Sequence, residues 1–147
     1  MEIIAAYPKQ RFLPAGYFAY DAGEDVINYD PTLLNKASGK LALLHEISHA
    51  LLGHFHYRFD FELFAMEMDA WNMTRKLALK HSIALEEQYI AQCMESYDNW
   101  LTKRSTCPKC HKFNMQSVPS RFQCYHCRTK WKVSKDILST IRREIIK

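Results

Sequence analysis

The sequence predicts an α+β protein. A small antiparallel sheet or hairpin precedes about three helices, and a four-cysteine module with a short C-terminal helix follows. Three observations support this class: two β-type runs flank a turn near the N-terminus, helical periodicity dominates from about residue 38 to 103, and two CxxC pairs come after it. We expect two domains, covering residues 1–104 and 105–147.

The N-terminal segment predicts extended structure. Residues 2–7 indicate a short strand that Pro8 ends. Residues 17–20 and 26–29 are rich in aromatic and β-branched side chains, and the turn-like sequence DAGE lies between them. This pattern predicts a β-hairpin.

The next element is a helix that carries the sequence LALLHEISHALLGH at residues 41–54. Ser38 is its predicted N-cap, and Gly53 marks its predicted C-terminal end. Leucine and isoleucine side chains surround this stretch almost completely, which predicts that the helix is buried.

His45, Glu46 and His49 have the spacing HExxH within this helix. Four residues apart on a helix, the two imidazoles project from one face and can bind one divalent metal ion, with the carboxylate beside them. Buried ionisable groups need partners, and a metal ion would supply one. The pattern predicts a zinc hydrolase site; the alternative is a chance spacing on an ordinary core helix.

A second helix, from residue 61 to about 81, offers a third ligand. Glu67 falls in the middle of its apolar face, about half a turn from the polar stripe, so its carboxylate should point toward the first helix. Asp69 is the rival, although it lies on the solvent stripe. His54 is out of helical phase with His45. We therefore predict Glu67 as the third protein ligand.

A third helix is predicted from about residue 85 to 103, after which the composition becomes basic and cysteine-bearing. Residues 1–100 hold 8 Lys+Arg against 14 Asp+Glu, a net charge of −6, whereas residues 101–147 hold 12 against 2, a net of +10. This asymmetry favours a polyanionic partner at the basic end.

The basic segment contains two CxxC pairs separated by thirteen residues, formed by Cys107, Cys110, Cys124 and Cys127. Each pair predicts a tight knuckle with two thiolates, and two knuckles complete a tetrahedral zinc site. The segment from 106 to 133 is too short for a core of its own, so we expect a zinc ribbon that needs its metal to fold. Beyond it, residues 136–147 predict a short amphipathic helix.

The N-terminus has no basic region before its brief apolar run, and no later segment approaches the length of a membrane span. We expect a cytoplasmic protein without membrane contact. The sequence leaves the oligomeric state open.

Two Zn²⁺ ions are therefore expected, one catalytic and one structural. His45, His49 and Glu67 would bind the first, with water in the open position, and Glu46 would act as the general base. The predicted reaction is hydrolysis of a peptide bond in an intracellular protein substrate. The group that steadies the oxyanion stays open among His54, His56, Tyr57 and the hairpin tyrosines.

The segment HEISHALLGH, followed by EMDAW at residues 67–71, resembles the ImmA/IrrE family of gluzincin-type metallopeptidases, whose pattern is HExxHxxxGH and then ExEA on the next helix. The resemblance implies a zincin-like core with His45, His49 and Glu67 on zinc and Glu46 as the HExxH glutamate. Asp69 and Trp71 depart from the pattern. The substrate class implied by the resemblance is a transcriptional repressor.

The domain order and the terminal ribbon look like the SprT/Spartan family of DNA-associated proteases, which usually take a third histidine that residues 60–80 lack. This likeness makes the ribbon a candidate DNA contact, as opposed to a module that docks on protein. The side chains available for such contacts are Lys109, Lys112, Arg121, Phe122, Tyr125, Arg128, Lys130, Trp131 and Lys132. The alternative function is a non-hydrolytic DNA-binding regulator with a vestigial HExxH site.

Overall fold

The computed structural model describes residues 2–134 and 140–147 and confirms the α+β class, with four helices and two small sheets in the described residues. The chain forms two compact units, Met1–His56 with Met66–Ala91, and Tyr57–Ala65 with Gln92–Lys147. This division differs from a boundary at 104/105 because two long helices contribute residues to both units. The domain assignment itself stays a prediction. No helix among the described residues combines the length and apolarity that a membrane crossing requires.

The first unit contains a three-stranded sheet and most of the helical structure. Its elements are α1 (Glu2–Ala5), β1 (Arg11–Pro14), β2 (Ala19–Asp21), β3 (Val26–Tyr29) and α2 (Ala37–Leu52), with parts of α3 (Asp60–Lys80) and α4 (Glu87–Ser105). The strand order is β1-β3-β2. The antiparallel pairing of β2 with β3 confirms the predicted hairpin, whereas β1, which runs parallel to β3, was not predicted.

The core of this unit is formed by the sheet and α2, with fully buried Ile27, Leu41, Leu43, Leu44 and Ile47. Leu77 and Ala78 of α3 belong to the same core, and a pair of small polar side chains also joins α2 to α3. Ser48 Oγ and Thr74 Oγ1 lie 3.1 Å apart, and each hydroxyl also donates to a carbonyl oxygen one turn earlier in its own helix. Both side chains are completely buried, so α2 and α3 are in close contact here.

Two local predictions in this unit are wrong. Residues 2–5 form a helical turn, not a strand: the N–H of Ala6 donates to the carbonyls of Glu2 and Ile3, and a strand here would need a neighbour to pair with. Helix α2 has Lys36 as its N-cap residue, with no side-chain cap, so Ser38 lies inside the first turn. Gly53 is the left-handed C-cap, as predicted.

The second unit contains the four-cysteine ribbon, defined as residues 106–133. The sheet of this unit is antiparallel and contains four strands in chain order. Three lie in the ribbon, β4 (Gln116–Val118), β5 (Arg121–Gln123) and β6 (Lys130–Val133), and the fourth, β7 (Arg143–Ile146), follows it. The rings of Phe122 and Trp131 stack 5.2 Å apart in its core. Arg104 binds Asp60 through Nε at 2.6 Å, and both side chains are buried, so this charged pair is satisfied internally.

The prediction of a C-terminal helix is wrong for the described residues 140–147. There the chain forms β7, which pairs with β6, and Lys132 contacts Glu144 across the two strands at 3.1 Å. Pairing satisfies main-chain groups that β6 would otherwise leave unpaired at the sheet edge. The earlier part of the predicted helix, residues 136–139, lies outside the described residues.

Candidate metal centre

The side chains of His45, His49 and Glu67 converge from α2 and α3 in the first unit. Nε2 of His45 lies 3.1 Å from Glu67 Oε2, and Nε2 of His49 lies 3.5 Å from Glu67 Oε1. The two Nε2 atoms are 3.1 Å apart. One ligand atom from each residue lies within 4.8 Å of the others, so the three side chains could hold one metal ion.

Burial and charge fit a metal-binding role for Glu67. The residue is 5 % exposed, whereas its rival Asp69 is on the exposed side of α3. Burial acts to raise the pKa of Glu67, but the hydrogen bonds with His45 and His49 outweigh it and hold the pKa at about 2. Glu67 is therefore ionised at neutral pH, as a metal-binding carboxylate must be.

His54 contacts the centre through His49. The N–H of Gly53 donates to the carbonyl of Ala50, and the N–H of His54 donates to that of His49, a Schellman motif with Gly53 at φ 65°. This motif turns the chain back, so that Nδ1 of His54 lies 2.8 Å from Nδ1 of His49. Burial and the adjacent His49 lower the pKa of His54, which favours its neutral form. His54 therefore contacts Nδ1 of His49, whereas the other ring nitrogen of His49, Nε2, faces Glu67.

A face of His45 is covered by Trp71. Their ring centroids are 4.0 Å apart and the rings are inclined by only 24°. Trp71 is 3 % exposed, and its ring also packs edge to face against the ring of Tyr89, with centroids 6.0 Å apart. In the sequence, Trp71 lies on the apolar face of the second helix and departs from a family pattern, but no contact with His45 was predicted. Its position four residues after Glu67 on the same helix face was the signal that could have placed it.

Glu46 lies beside the two histidines in sequence and is half-buried. Its Oε2 accepts a hydrogen bond of 2.7 Å from the main-chain N–H of Tyr20, a residue of β2. The Tyr20 hydroxyl donates to Asp25 at 3.0 Å. Of the hairpin tyrosines considered as oxyanion donors, Tyr20 thus reaches this carboxylate through its main chain, not through its hydroxyl.

The second metal-binding group is the cluster of Cys107, Cys110, Cys124 and Cys127, whose sulfur atoms lie within 4.8 Å of one another. Cys107 Sγ is 3.6 Å from Cys127 Sγ, and Cys110 Sγ is 3.4 Å from Cys124 Sγ. The arrangement is consistent with a zinc ribbon. His111 and His126 are exposed and do not belong to the cluster, so they do not replace a cysteine.

The thiols of this cluster are unequal. Hydrogen bonds with the hydroxyl and the N–H of Thr129 lower the pKa of Cys127 to about 6. The pKa of Cys110 is raised to about 12 because burial and the neighbouring sulfur atoms outweigh the N–H of Lys112.

No family model matches this chain, and neither does any curated protein or solved structure. A proposal for its function therefore rests on the geometry of the two clusters.

Proposed function

We propose that this chain is a zinc-dependent metallopeptidase that hydrolyses peptide bonds of a protein substrate. The observation that carries the proposal is the convergence of His45, His49 and Glu67, together with Glu46, which follows His45 in the HExxH sequence. A site that only stabilised the fold would use Glu46 as the acceptor for the Tyr20 N–H, whereas a hydrolytic site also uses its carboxylate to move a proton.

The donor set suits a zinc ion with an open position. Two imidazole nitrogens and one carboxylate are a ligand set of hydrolytic zinc sites, which keep a fourth position for water or substrate. A bound zinc ion would supply Lewis-acid polarisation of water and of the scissile carbonyl. His54 fits this use of His49: a neutral His54 accepts the Nδ1 proton of His49 and leaves its Nε2 lone pair for the metal.

Glu46 would be the general base and, later, the general acid. The Tyr20 N–H holds its Oε2 in place, and Oε1 is the atom that would take a proton from the attacking water and transfer it to the leaving amine. Because β2 lies at an edge of its sheet, its main chain also offers groups with which an extended substrate would pair.

The basic four-cysteine ribbon, with zinc as its structural ion, is proposed to contact DNA. Its six Lys and Arg side chains named above are all exposed. Phe122 and Trp131, however, are buried in the ribbon core, so Tyr125, which is 75 % exposed, is the aromatic left for base stacking among the three. An affinity for DNA that falls as salt is added is the expected result, and an affinity insensitive to salt would contradict it.

The substitution Glu46→Gln tests the hydrolase proposal. Glutamine keeps an oxygen for the Tyr20 N–H but cannot act as a base, so cleavage should fall by about 100- to 10,000-fold while metal content and fold stay unchanged. The measurement is cleavage of a fluorescently labelled unfolded protein. Glu86→Gln, at an exposed position, is the matched control and should retain full activity.

Unchanged cleavage by the Glu46→Gln protein would refute the role of Glu46. If the wild-type protein binds zinc at His45 and still cleaves neither an unfolded protein nor a repressor encoded beside it, the non-hydrolytic regulator becomes the better description.

A further inference from the structure

The two histidines of the centre are supported in different ways. A metal-binding histidine usually donates its second ring N–H to an acceptor, which fixes the orientation of the ring. His49 has such a partner in His54. Nδ1 of His45 is buried and has no hydrogen-bond partner among the residues that the structure describes. No hydrogen bond at Nδ1 from a described residue therefore helps the contact between Nε2 and Glu67 to orient this ring.

We propose that Trp71 is a positioning residue for the metal centre and that its indole holds the His45 imidazole by stacking. The stack, with centroids 4.0 Å apart and an inclination of 24°, restrains rotation of the ring about its bond to Cβ. In that orientation Nε2 faces Glu67. The inference rests on the proposed function only in requiring that these three residues bind a metal ion.

The placement of Trp71 on α3 couples the stack to the third ligand. Glu67 and Trp71 are four residues apart and therefore lie on one face of the helix. The Glu67 carboxylate meets the Nε2 edge of His45, while the indole covers a face of the same ring. Two side chains of α3 therefore restrain the His45 ring, one against movement within the plane of the ring and the other against movement perpendicular to it.

Trp71 is not held in place by a hydrogen bond of its own. Its indole Nε1 is buried and finds no acceptor within the described part of the chain. The ring contacts of Trp71 are His45 on its face and Tyr89 of α4 at an angle of 84°. Both contacts require a flat aromatic ring, and neither uses the indole N–H. Phenylalanine should therefore be able to replace Trp71, whereas leucine should not.

Loss of the stack should weaken metal binding and leave it measurable. A ring that can rotate in the metal-free protein must be ordered when the ion binds, and this ordering opposes binding. The ligands themselves remain in place. We therefore expect an effect of the size seen for other groups that orient metal ligands, about tenfold in affinity.

The test uses the full-length chain with its ribbon loaded with zinc, and Co²⁺ as the probe, since Co²⁺ quenches nearby tryptophan fluorescence. Trp71→Leu should bind Co²⁺ about tenfold more weakly than wild type, whereas Trp71→Phe should stay within about threefold. The quenching of wild type should be lost in both variants. Trp100 is the matched control, because it is also buried, its Nε1 has no partner among the described residues, and its ring lies against Arg104 at 4.5 Å. Trp100→Phe and Trp100→Leu should keep the wild-type affinity for Co²⁺.

Two results would overturn the role of Trp71: wild-type affinity in a folded Trp71→Leu protein, or quenching by Co²⁺ that is the same in Trp71→Phe as in wild type. The second readout needs only the conservative variant, so it can still overturn the role if Trp71→Leu does not fold. If wild type itself takes up no Co²⁺ at a site removed by His45→Ala, the metal centre and this inference both fail. If it does, and Trp71→Leu is unaffected, the inference alone fails.

Discussion

Glu67 is a buried carboxylate whose protonation is set by its two histidine neighbours. Its pKa lies at about 2, against an ordinary value of 4.5, because hydrogen bonds with His45 and His49 outweigh the effect of burial. A carboxylate with a depressed pKa in the folded state stabilises that state above its unfolded pKa. This contribution disappears as the pH falls from 4.5 through about 2.

The metal-free protein should therefore lose up to about 3 kcal/mol of unfolding free energy through Glu67 as the pH falls from about 5 to 2. In Glu67→Gln this part of the pH dependence should be absent, so the difference between the two proteins should shrink on acidification. Urea unfolding followed by helical circular dichroism measures it. Glu86→Gln serves as the control and should follow wild type, whereas a constant difference between wild type and Glu67→Gln would contradict the assigned pKa.

The convergence of His45, His49 and Glu67 could be predicted from sequence, but the contacts around them could not. Helical phase alone separates Glu67 from Asp69, because the angle between them decides which one faces the core. The contact of His54 with His49 depends instead on the reversal of the chain at Gly53. If the helix is assumed to continue through His54, its side chain is predicted on the helix face away from the other histidines. The spacing of four residues puts Trp71 on the same helix face as Glu67, but its stack on His45 also depends on how the two helices approach each other.

At the scale of elements, the ribbon uses the same turn twice. In each knuckle the N–H of the residue after the second cysteine donates to the carbonyl of the first cysteine, from His111 to Cys107 at 3.0 Å and from Arg128 to Cys124 at 2.9 Å. His111 and Arg128 have φ values of 60° and 63°. This left-handed conformation is unfavourable for residues with a Cβ, by about 1–2 kcal/mol.

Glycine should therefore be tolerated better than the native residue at both positions. His111→Gly and Arg128→Gly should each stabilise the zinc-loaded protein by up to about 1 kcal/mol, since relief of the left-handed strain exceeds the greater freedom of glycine in the unfolded chain. Thermal unfolding measures the change. Lys109→Gly is the control, because Lys109 has no positive φ, and it should destabilise the protein. Destabilisation by all three substitutions alike would show that the turn conformation is not strained.

Elements with a strong local signal were predicted and those that depend on a partner were not. The hairpin of β2 and β3 has a turn sequence between two β-type runs, and α2 to α4 have long apolar periodicities. Strand β1 has no such signal and exists because β3 offers it an edge. In the C-terminal segment the spacing of the isoleucines is compatible with a helix. Residues 143–146 nevertheless form a strand because they pair with β6.

At the scale of the whole molecule, the two groups that could hold a metal ion belong to different compact units. His45, His49 and Glu67 are in the first unit, and the four cysteines are in the second. Each group draws all its ligand atoms from its own unit, so the loss of one metal ion should not remove the other.

Zinc content per chain, measured on purified proteins, tests the central claim most directly. Wild type should contain two zinc ions, and His45→Ala and Cys107→Ser should each contain one, with His56→Ala, a histidine outside both clusters, retaining two. A wild-type protein with a single zinc that disappears in Cys107→Ser, or a His45→Ala protein that still holds two, would contradict the assignment of His45, His49 and Glu67 as a metal centre.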